Sequence, residues 1–477
     1  MKISPEDLEQ VDQIFDEFFD AGRSPGLAYA VTYQDQIIYS KGLGVSALDG
    51  ETPNIQTVFR VASMTKSFTA AAALILRDRG LLKLDAPISD YLPAFKTVRI
   101  PFSNSPEITT RMLLTMSAGF PTDDKWADRQ ESLTSDEFHA LIQSGFRFDT
   151  VPNTKFEYSN LGYALTAAII STITKMPFTD FVTEEILTPL NMTSSGFDFN
   201  RLKNLATGYV KRNEIWEMEP FTGEGAFSAI GGLLTNIDDL AKWVGFLIQS
   251  FDEGLADGNH LIAAASRREM QQGQRVIPPA QLTRLNEVGI ISACYGLGLF
   301  VEEDSDFGTI VSHSGGYPGY GSHMRWQVGS KIGVIALANG RYAAPVIASA
   351  KALRYLLQKD AIAKASTLPS KELQEFQLAV NSLIQNWNDS IADQIFANNM
   401  ELDHPHSYRK SELNRSIEEI DGLLNDPVAT NIKSNSASHL SWQLAGNHGS
   451  LGVEILLGPG LPAQIQMLNI STIAPAT

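Results

Sequence analysis

The β-rich runs of this chain stand far apart. "GLAYAVTY" (26–33) and "QIIYSKGLG" (36–44) lie near the start, with Gln34-Asp35 as an imperfect hairpin turn between them. "YGLGLFVEE", "GTIVSHSGG", "SHMRWQV" and "KIGVIALANG" follow only from about residue 295, spaced like a meander. Between the two groups the apolar spacing is helical, over 63–79 with Gly80 as its stop, then over 109–117, 135–144, 161–175, 178–187 and 236–250. A further helix is expected over 4–20, and "APVIASAKALRYLLQ" supplies a closing one. The early strands are expected to pair with the late ones around a helical insertion, which is an α+β arrangement with a cleft between lobe and sheet. The lobe would occupy about 85–290.

A chain of 477 residues is too long for one small core. Residues 1–362 read as the first domain. After that the character changes: "KELQEFQLAVNSLIQNWNDSIADQIFANN" is helical, a polar stretch follows, and "HLSWQLAG", "GVEILLG" and "AQIQMLNIS" read as three short strands. Residues 365–477 are therefore expected to form a small α+β accessory domain.

A net charge of −17 argues against nucleic acid as a partner, because phosphate binding needs clustered Lys and Arg. The acidic, helix-patterned N-terminus lacks a basic segment followed by an unbroken apolar run, which reads as a cytoplasmic chain without a signal peptide. The longest strongly apolar stretch, about Phe68 to Leu76, is far short of a membrane span. Cys294 is the single cysteine, so intrachain disulfides and cysteine-rich zinc sites are excluded, and it reads as a small buried apolar residue. His404 and His406 have no third ligand nearby and read as solvated loop residues. No metal and no cofactor is expected.

Chemistry is suggested first by Ser63-Met64-Thr65-Lys66. On a helix, residues three apart share a face, so Ser63 Oγ and Lys66 Nζ come within hydrogen-bonding reach. A serine hydroxyl needs a base, and a lysine serves only if burial or nearby positive charge lowers its pKa. Val61, Ala62, Met64, Phe68 and the Ala70–Ala73 run supply the apolar wall for that. A Ser-x-x-Lys match arises about once by chance in such a length; a second, Ser407 to Lys410, sits in a polar segment without that wall.

Two further stretches bear on the reading. In "FEYSNLGYAL", Tyr158 can relay a proton, and Asn160 can hold an ammonium and a substrate carbonyl; packing and helix capping explain the same residues structurally. In "IVSHSGGYPGYGSHMRW", His313-Ser314-Gly315-Gly316 ends a β-run, where glycines let a substrate approach a strand edge or merely form a turn.

Taken in this order, Ser-x-x-Lys, Tyr-x-Asn and His-Ser-Gly resemble the penicillin-recognising serine hydrolases, in the branch of class C β-lactamases, DD-carboxypeptidases, D-aminopeptidases and esterases. "GLLKLDAPISDYLP", "TTRMLLTMSAGF" and "AIGGLLTNIDDLAKW" are similar to that branch as well, and the resemblance covers roughly residues 5 to 358. It implies an antiparallel sheet with helices on both sides and an all-helical lobe. It also implies Ser63 as acylated nucleophile, Lys66 as its proton acceptor, Tyr158 as general base or proton shuttle, and Asn160 orienting Lys66 and substrate. The N–H groups of Ser63 and Gly316 would form the oxyanion hole, and His313, Ser314 and Gly315 would line the substrate. The family's usual Lys-Thr-Gly is here His313-Ser314-Gly315. A largely neutral histidine binds a carboxylate less well than lysine does, which favours esters, amides or short peptides over β-lactams and carboxypeptidase substrates. A catalytically silent scaffold is the alternative of another class. The accessory domain is expected to cover the cleft or to drive homo-oligomerisation.

Overall fold

The computed structural model describes residues 3–252, 261–282, 288–359 and 369–474. The chain divides into two compact units, Met1–Lys364 and Ala365–Thr477.

The first unit is organised by an antiparallel sheet of eight strands in the order β2-β1-β12-β11-β10-β9-β8-β7. Its members are β1 (Gly26–Tyr33), β2 (Gln36–Gly44), β7 (Arg275–Val276), β8 (Ile290–Tyr295), β9 (Phe300–Asp304), β10 (Gly308–Tyr317), β11 (Tyr320–Gln327) and β12 (Ile332–Ala338). Strand β1 pairs with β12 from Leu27↔Ala338 to Tyr33↔Ile332, so the early and late β-runs do join. The remaining strands form two ribbons, β3 (Phe59–Arg60) with β6 (Leu234–Thr235), and β4 (Tyr209–Arg212) with β5 (Ile215–Met218).

Side chains of a strand alternate between faces, and here each face has its own core. Leu27, Tyr29 and Val31 of β1 join Val334 and Ala336 of β12 beneath α1 (Pro5–Asp20) and a late helix, Val346–Lys359. Ala28, Ala30, Ile335 and Leu337 point the other way, into the core of α2 (Thr65–Asp78) and the helical segment. Burial on both faces explains why β12 reads "IGVIALA" without polar alternation. Helix α1 starts at a reciprocal cap between Ser4 and Asp7 with Pro5 in its first turn, and it stacks Phe15 on Tyr29 at 4.0 Å.

The intervening helices are α3 (Thr110–Leu114), α4 (Asp124–Ala127), α5 (Ser135–Ser144), α6 (Asn160–Thr174), α7 (Phe178–Val182), α8 (Ser228–Gly231), α9 (Ile237–Ile248) and α10 (Ala264–Met270); the late helix is α11. The expected lobe over 85–290 is less uniform than its helical pattern implied. Helix α9 packs on β1, β2 and β12, the β4–β5 ribbon interrupts the helices, and β7 already belongs to the main sheet. The helix expected over 109–117 stops early because Met116 takes a positive φ of 56°. The one expected over 63–79 begins as a 3-10 turn, Ala62–Met64, before α2. Cys294 on β8 is half-buried rather than buried, as that strand lies near the sheet edge.

The second unit carries α12 (Lys371–Gln385), α13 (Asp389–Ile395), α14 (Asn398–Asp403), α15 (His406–Glu419) and a meander β13 (Ala429–Ser436), β14 (His439–Gly446), β15 (Gly449–Leu457) and β16 (Ile465–Ile473). Val380, Leu383, Trp442, Val453 and Ile455 form its core. The polar stretch thus holds a helix and a fourth strand that periodicity did not show: α15 buries only Leu413. His406 is no loop residue; it opens α15 with Nε2 2.9 Å from Asp393. Ser407 and Lys410 of the second Ser-x-x-Lys are exposed. Among the described residues no helix is long and apolar enough to cross a membrane.

Candidate active site

Ser63 is presented by a turn that several elements hold in place. Val61 N–H donates to Leu233 O at 3.0 Å, continuing the β3–β6 ribbon. Ala62 then adopts φ +50°, uncommon for a residue with a Cβ and no polar side chain. The flanking carbonyls are tied down: Thr65 Oγ1 donates to Ala62 O at 2.7 Å and Ser322 Oγ to Val61 O at 2.7 Å. Thr65 Oγ1 also accepts from Leu233 N–H at 3.2 Å. Ser63 is consequently the one residue from Thr57 to Leu76 that is not buried.

Strand β10 passes directly against this turn. A Cβ on Gly315 would lie 2.2 Å from both Val61 O and Ser322 Oγ and 3.0 Å from Ala62 Cβ, so glycine is required there. Pairing of β10 with β9 ends at Ser312↔Phe300, leaving 313–317 without a β9 partner on that edge. Gly316, partly exposed, lies on this open stretch.

Lys66 is fully buried. Its Nζ lies 2.9 Å from Ser63 Oγ and 2.8 Å from Ile230 O, a carbonyl in the last turn of the four-residue helix α8. The Tyr158 and Tyr163 rings stand 5.2 and 5.7 Å from it. Burial brings the ammonium down to about 8, against the opposing pull of Asp124, Asp128 and Asp123. A neutral amine keeps one N–H on Ile230 O and turns its lone pair to the Ser63 hydroxyl. The Tyr158 phenol lies beside Ser63, and burial followed by the nearby Asp124 carboxylate holds it well above the ordinary phenol range. Near neutral pH it is a phenol, suited to relaying a proton rather than to acting as phenolate.

Asn160 opens α6, and its amide is claimed elsewhere. Nδ2 donates to Asp123 Oδ1 at 3.1 Å and to Asp124 Oδ1 at 2.8 Å. Asp123 also accepts from the backbone N–H groups of Asn160 and Leu161 at 2.7 and 2.9 Å, which makes it the cap of α6 from a distant segment. Asn160 Oδ1, the atom that would accept from Lys66, has no hydrogen-bond partner among the described residues. The expected Asn160–Lys66 contact is therefore absent from the described hydrogen bonds, because the two carboxylates orient the amide.

His313 differs from expectation too. Its Nδ1 lies 2.7 Å from Ser314 O, a carbonyl, so Nδ1 carries the proton, and Nε2 accepts from Tyr295 O–H at 3.0 Å. Burial, reinforced by Lys66, drives its pKa down to about 3. The ring is buried and both nitrogens are satisfied, so it offers the substrate no free donor. Ser314 Oγ faces His323 Nδ1 at 2.8 Å, its partner across β11.

Sequence reasoning missed Asp123, Asp124 and Asp128, although the first two follow "TTRMLLTMSAGF" closely as an acidic pair. It also missed the buried Arg60–Glu131 pair at 2.7 Å, which anchors the strand leading into the Ser63 turn. A cavity of about 640 Å³, lined by Phe138, Ala167, Ser171, Phe178 and Gly225, lies in the helical segment and touches neither Ser63 nor Lys66. Among the described residues no group of three His, Cys, Asp or Glu is placed to hold a metal ion.

The family model described as Beta-lactamase matches residues 11–358, well over half of the chain. The chain belongs to the Beta-lactamase family. It is 26% identical over 354 residues to Protein flp of Staphylococcus aureus (strain NCTC 8325 / PS 47), which covers 71% of this chain and 64% of that protein. The chain thus spans less than two thirds of the length of that curated relative. The octameric penicillin-binding protein homologue from Pyrococcus abyssi superposes with a TM-score of 0.63 over 98% of both chains at 20% identity. EstCE1, a hydrolase with promiscuous acyltransferase activity, does so with 0.58 over 74% of this chain and 98% of its own at 20% identity. Both share the fold with this Beta-lactamase family chain.

Proposed function

We propose that the chain is a serine hydrolase that cleaves an ester, amide or small peptide bond through an acyl-enzyme on Ser63. The observation that carries this is the 2.9 Å contact of Ser63 Oγ with a buried Lys66 whose pKa is about 8. Neutral Lys66 takes the hydroxyl proton as Oγ attacks the substrate carbonyl. The oxyanion forms against the N–H groups of Ser63 and Gly316; losing one such donor typically costs about 3 kcal/mol of transition-state stabilisation. The proton leaves Lys66 through the Tyr158 phenol to the departing oxygen or nitrogen, and water then reverses the sequence to release the acid. Asn160, held by Asp123 and Asp124, contributes to substrate binding, and His313, Ser314 and Gly315 shape the strand on which the substrate lies.

The neutral, internally paired His313 stands where β-lactamases and DD-carboxypeptidases carry a lysine, which supports substrates without an essential carboxylate. A p-nitrophenyl ester and a fluorophosphonate test the reading together, with intact-protein mass as readout. Turnover of the first and mass gain from the second, both lost in Ser63→Ala, are expected. If wild type does neither, a silent ligand-binding homologue is the better description. Fast turnover of a chromogenic cephalosporin would move the assignment to β-lactamase. The octameric homologue also supports self-association of this chain, checked by solution mass with and without residues after about 362.

A further inference from the structure

A side chain outside the motifs closes off the open edge of β10. Tyr342, in the turn after β12, takes φ +50°, and its N–H lies 3.2 Å from both Tyr317 O and Tyr320 O, which pins that turn to the tip of the β10–β11 hairpin. Its ring rests on Gly316: a Cβ there would lie 2.9 Å from Tyr342 Cδ1. Its hydroxyl donates to Asp128 Oδ2 at 2.9 Å. Asp128 follows α4 in the helical segment and is only 5% exposed, whereas Tyr342 is 38% exposed. One aromatic side chain therefore bridges from the sheet to the helical segment, and it does so beside the proposed oxyanion donor. An acyl chain laid along 313–317 meets this ring as it passes Gly316.

We propose that Tyr342 is a specificity-determining residue, forming an end wall that limits acyl length along β10, with Asp128 as the positioning residue that holds the wall shut. This rests on the hydrolase reading above. Without its hydrogen bond, the ring is free to turn outward into the solvent it already borders; without the ring, the edge of β10 stays open beyond Gly316.

The test compares kcat/KM for p-nitrophenyl octanoate and p-nitrophenyl acetate in wild type, Tyr342→Ala, Tyr342→Phe and Asp128→Ala. The ratio of the two substrates is the readout, because any change in Lys66 basicity caused by removing Asp128 affects both alike and cancels. We expect the octanoate-to-acetate ratio to rise at least tenfold in Tyr342→Ala and about threefold in Tyr342→Phe and Asp128→Ala, with the Tyr342→Phe/Asp128→Ala double variant no higher than either single. A ratio unchanged in Tyr342→Ala overturns the wall, and additive single effects overturn the role of Asp128. Fluorophosphonate labelling of each protein separates the two levels. If the variants label while their ratios stay flat, the proposal alone is overturned. If wild type neither labels nor hydrolyses either ester, the hydrolase reading is overturned and the wall with it.

Discussion

Replacing Lys66 by methionine tests the proposed base most directly, since it removes the amine while nearly conserving volume. A lysine held at about 8 is neutral in roughly one molecule in ten at pH 7, against roughly one in a few thousand at its ordinary 10.5. The wild-type kcat/KM for a p-nitrophenyl ester should therefore climb about tenfold per pH unit below about 8 and level off above it. Lys66→Met should lower the plateau by about a hundredfold to ten-thousandfold, the usual contribution of a positioned base, and abolish the limb. Tyr158 cannot supply a substitute limb there, because burial holds its phenol well above 10. Stability should move the other way. An unfolded lysine keeps its proton up to its ordinary 10.5 and the folded one loses it through about 8, so burial costs the native state about 3 kcal/mol below pH 8. The variant escapes that cost, less about 1 kcal/mol for leaving the Ile230 carbonyl without its donor. Its net advantage in chemical denaturation, about 2 kcal/mol below pH 8, should shrink as pH rises from 8, vanish near pH 10 and become a deficit of about 1 kcal/mol above 10.5. A limb near pH 8 that survives in Lys66→Met, or a variant less stable than wild type at pH 7, would refute the reasoning.

Asp124 is the foremost of the carboxylates that raise Lys66, so Asp124→Asn should shift the rising limb of the kcat/KM profile to lower pH; a shift to higher pH contradicts the electrostatics. Gly315→Ala forces a methyl into the 2.2 Å gap beside Val61 O and should displace the Ser63 turn, lowering kcat/KM by about a hundredfold or more, read with the same ester. Glu131→Ala leaves Arg60 buried without its carboxylate and should cost about 3–5 kcal/mol in urea unfolding, whereas a loss under about 1 kcal/mol would show that the pair matters little.

Much of the first unit was legible because its signals are local. Strand alternation, glycine stops and apolar helical spacing act within a few residues, and they located β1, β2, β10 and β12 and the body of α2 and α6. Helix α15 and β13 escaped notice because their surfaces are mostly polar, so periodicity had little contrast to register. Ser63 and Lys66 were legible for the same local reason, being three residues apart at the start of one helix.

By itself, then, the sequence picked out the Ser63–Lys66 pair proposed as nucleophile and base, the apolar wall around Lys66, and a sheet assembled from both ends of the first unit. It could not determine where the Asn160 amide and the His313 ring point, since each orientation depends on partners distant in the chain: Asp123 and Asp124 for the amide, and Tyr295 for the ring. Nor could it show that Tyr342 reaches Asp128 across 214 residues of sequence. A hydrogen bond constrains only atoms about 3 Å apart, and folding alone brings such atoms together.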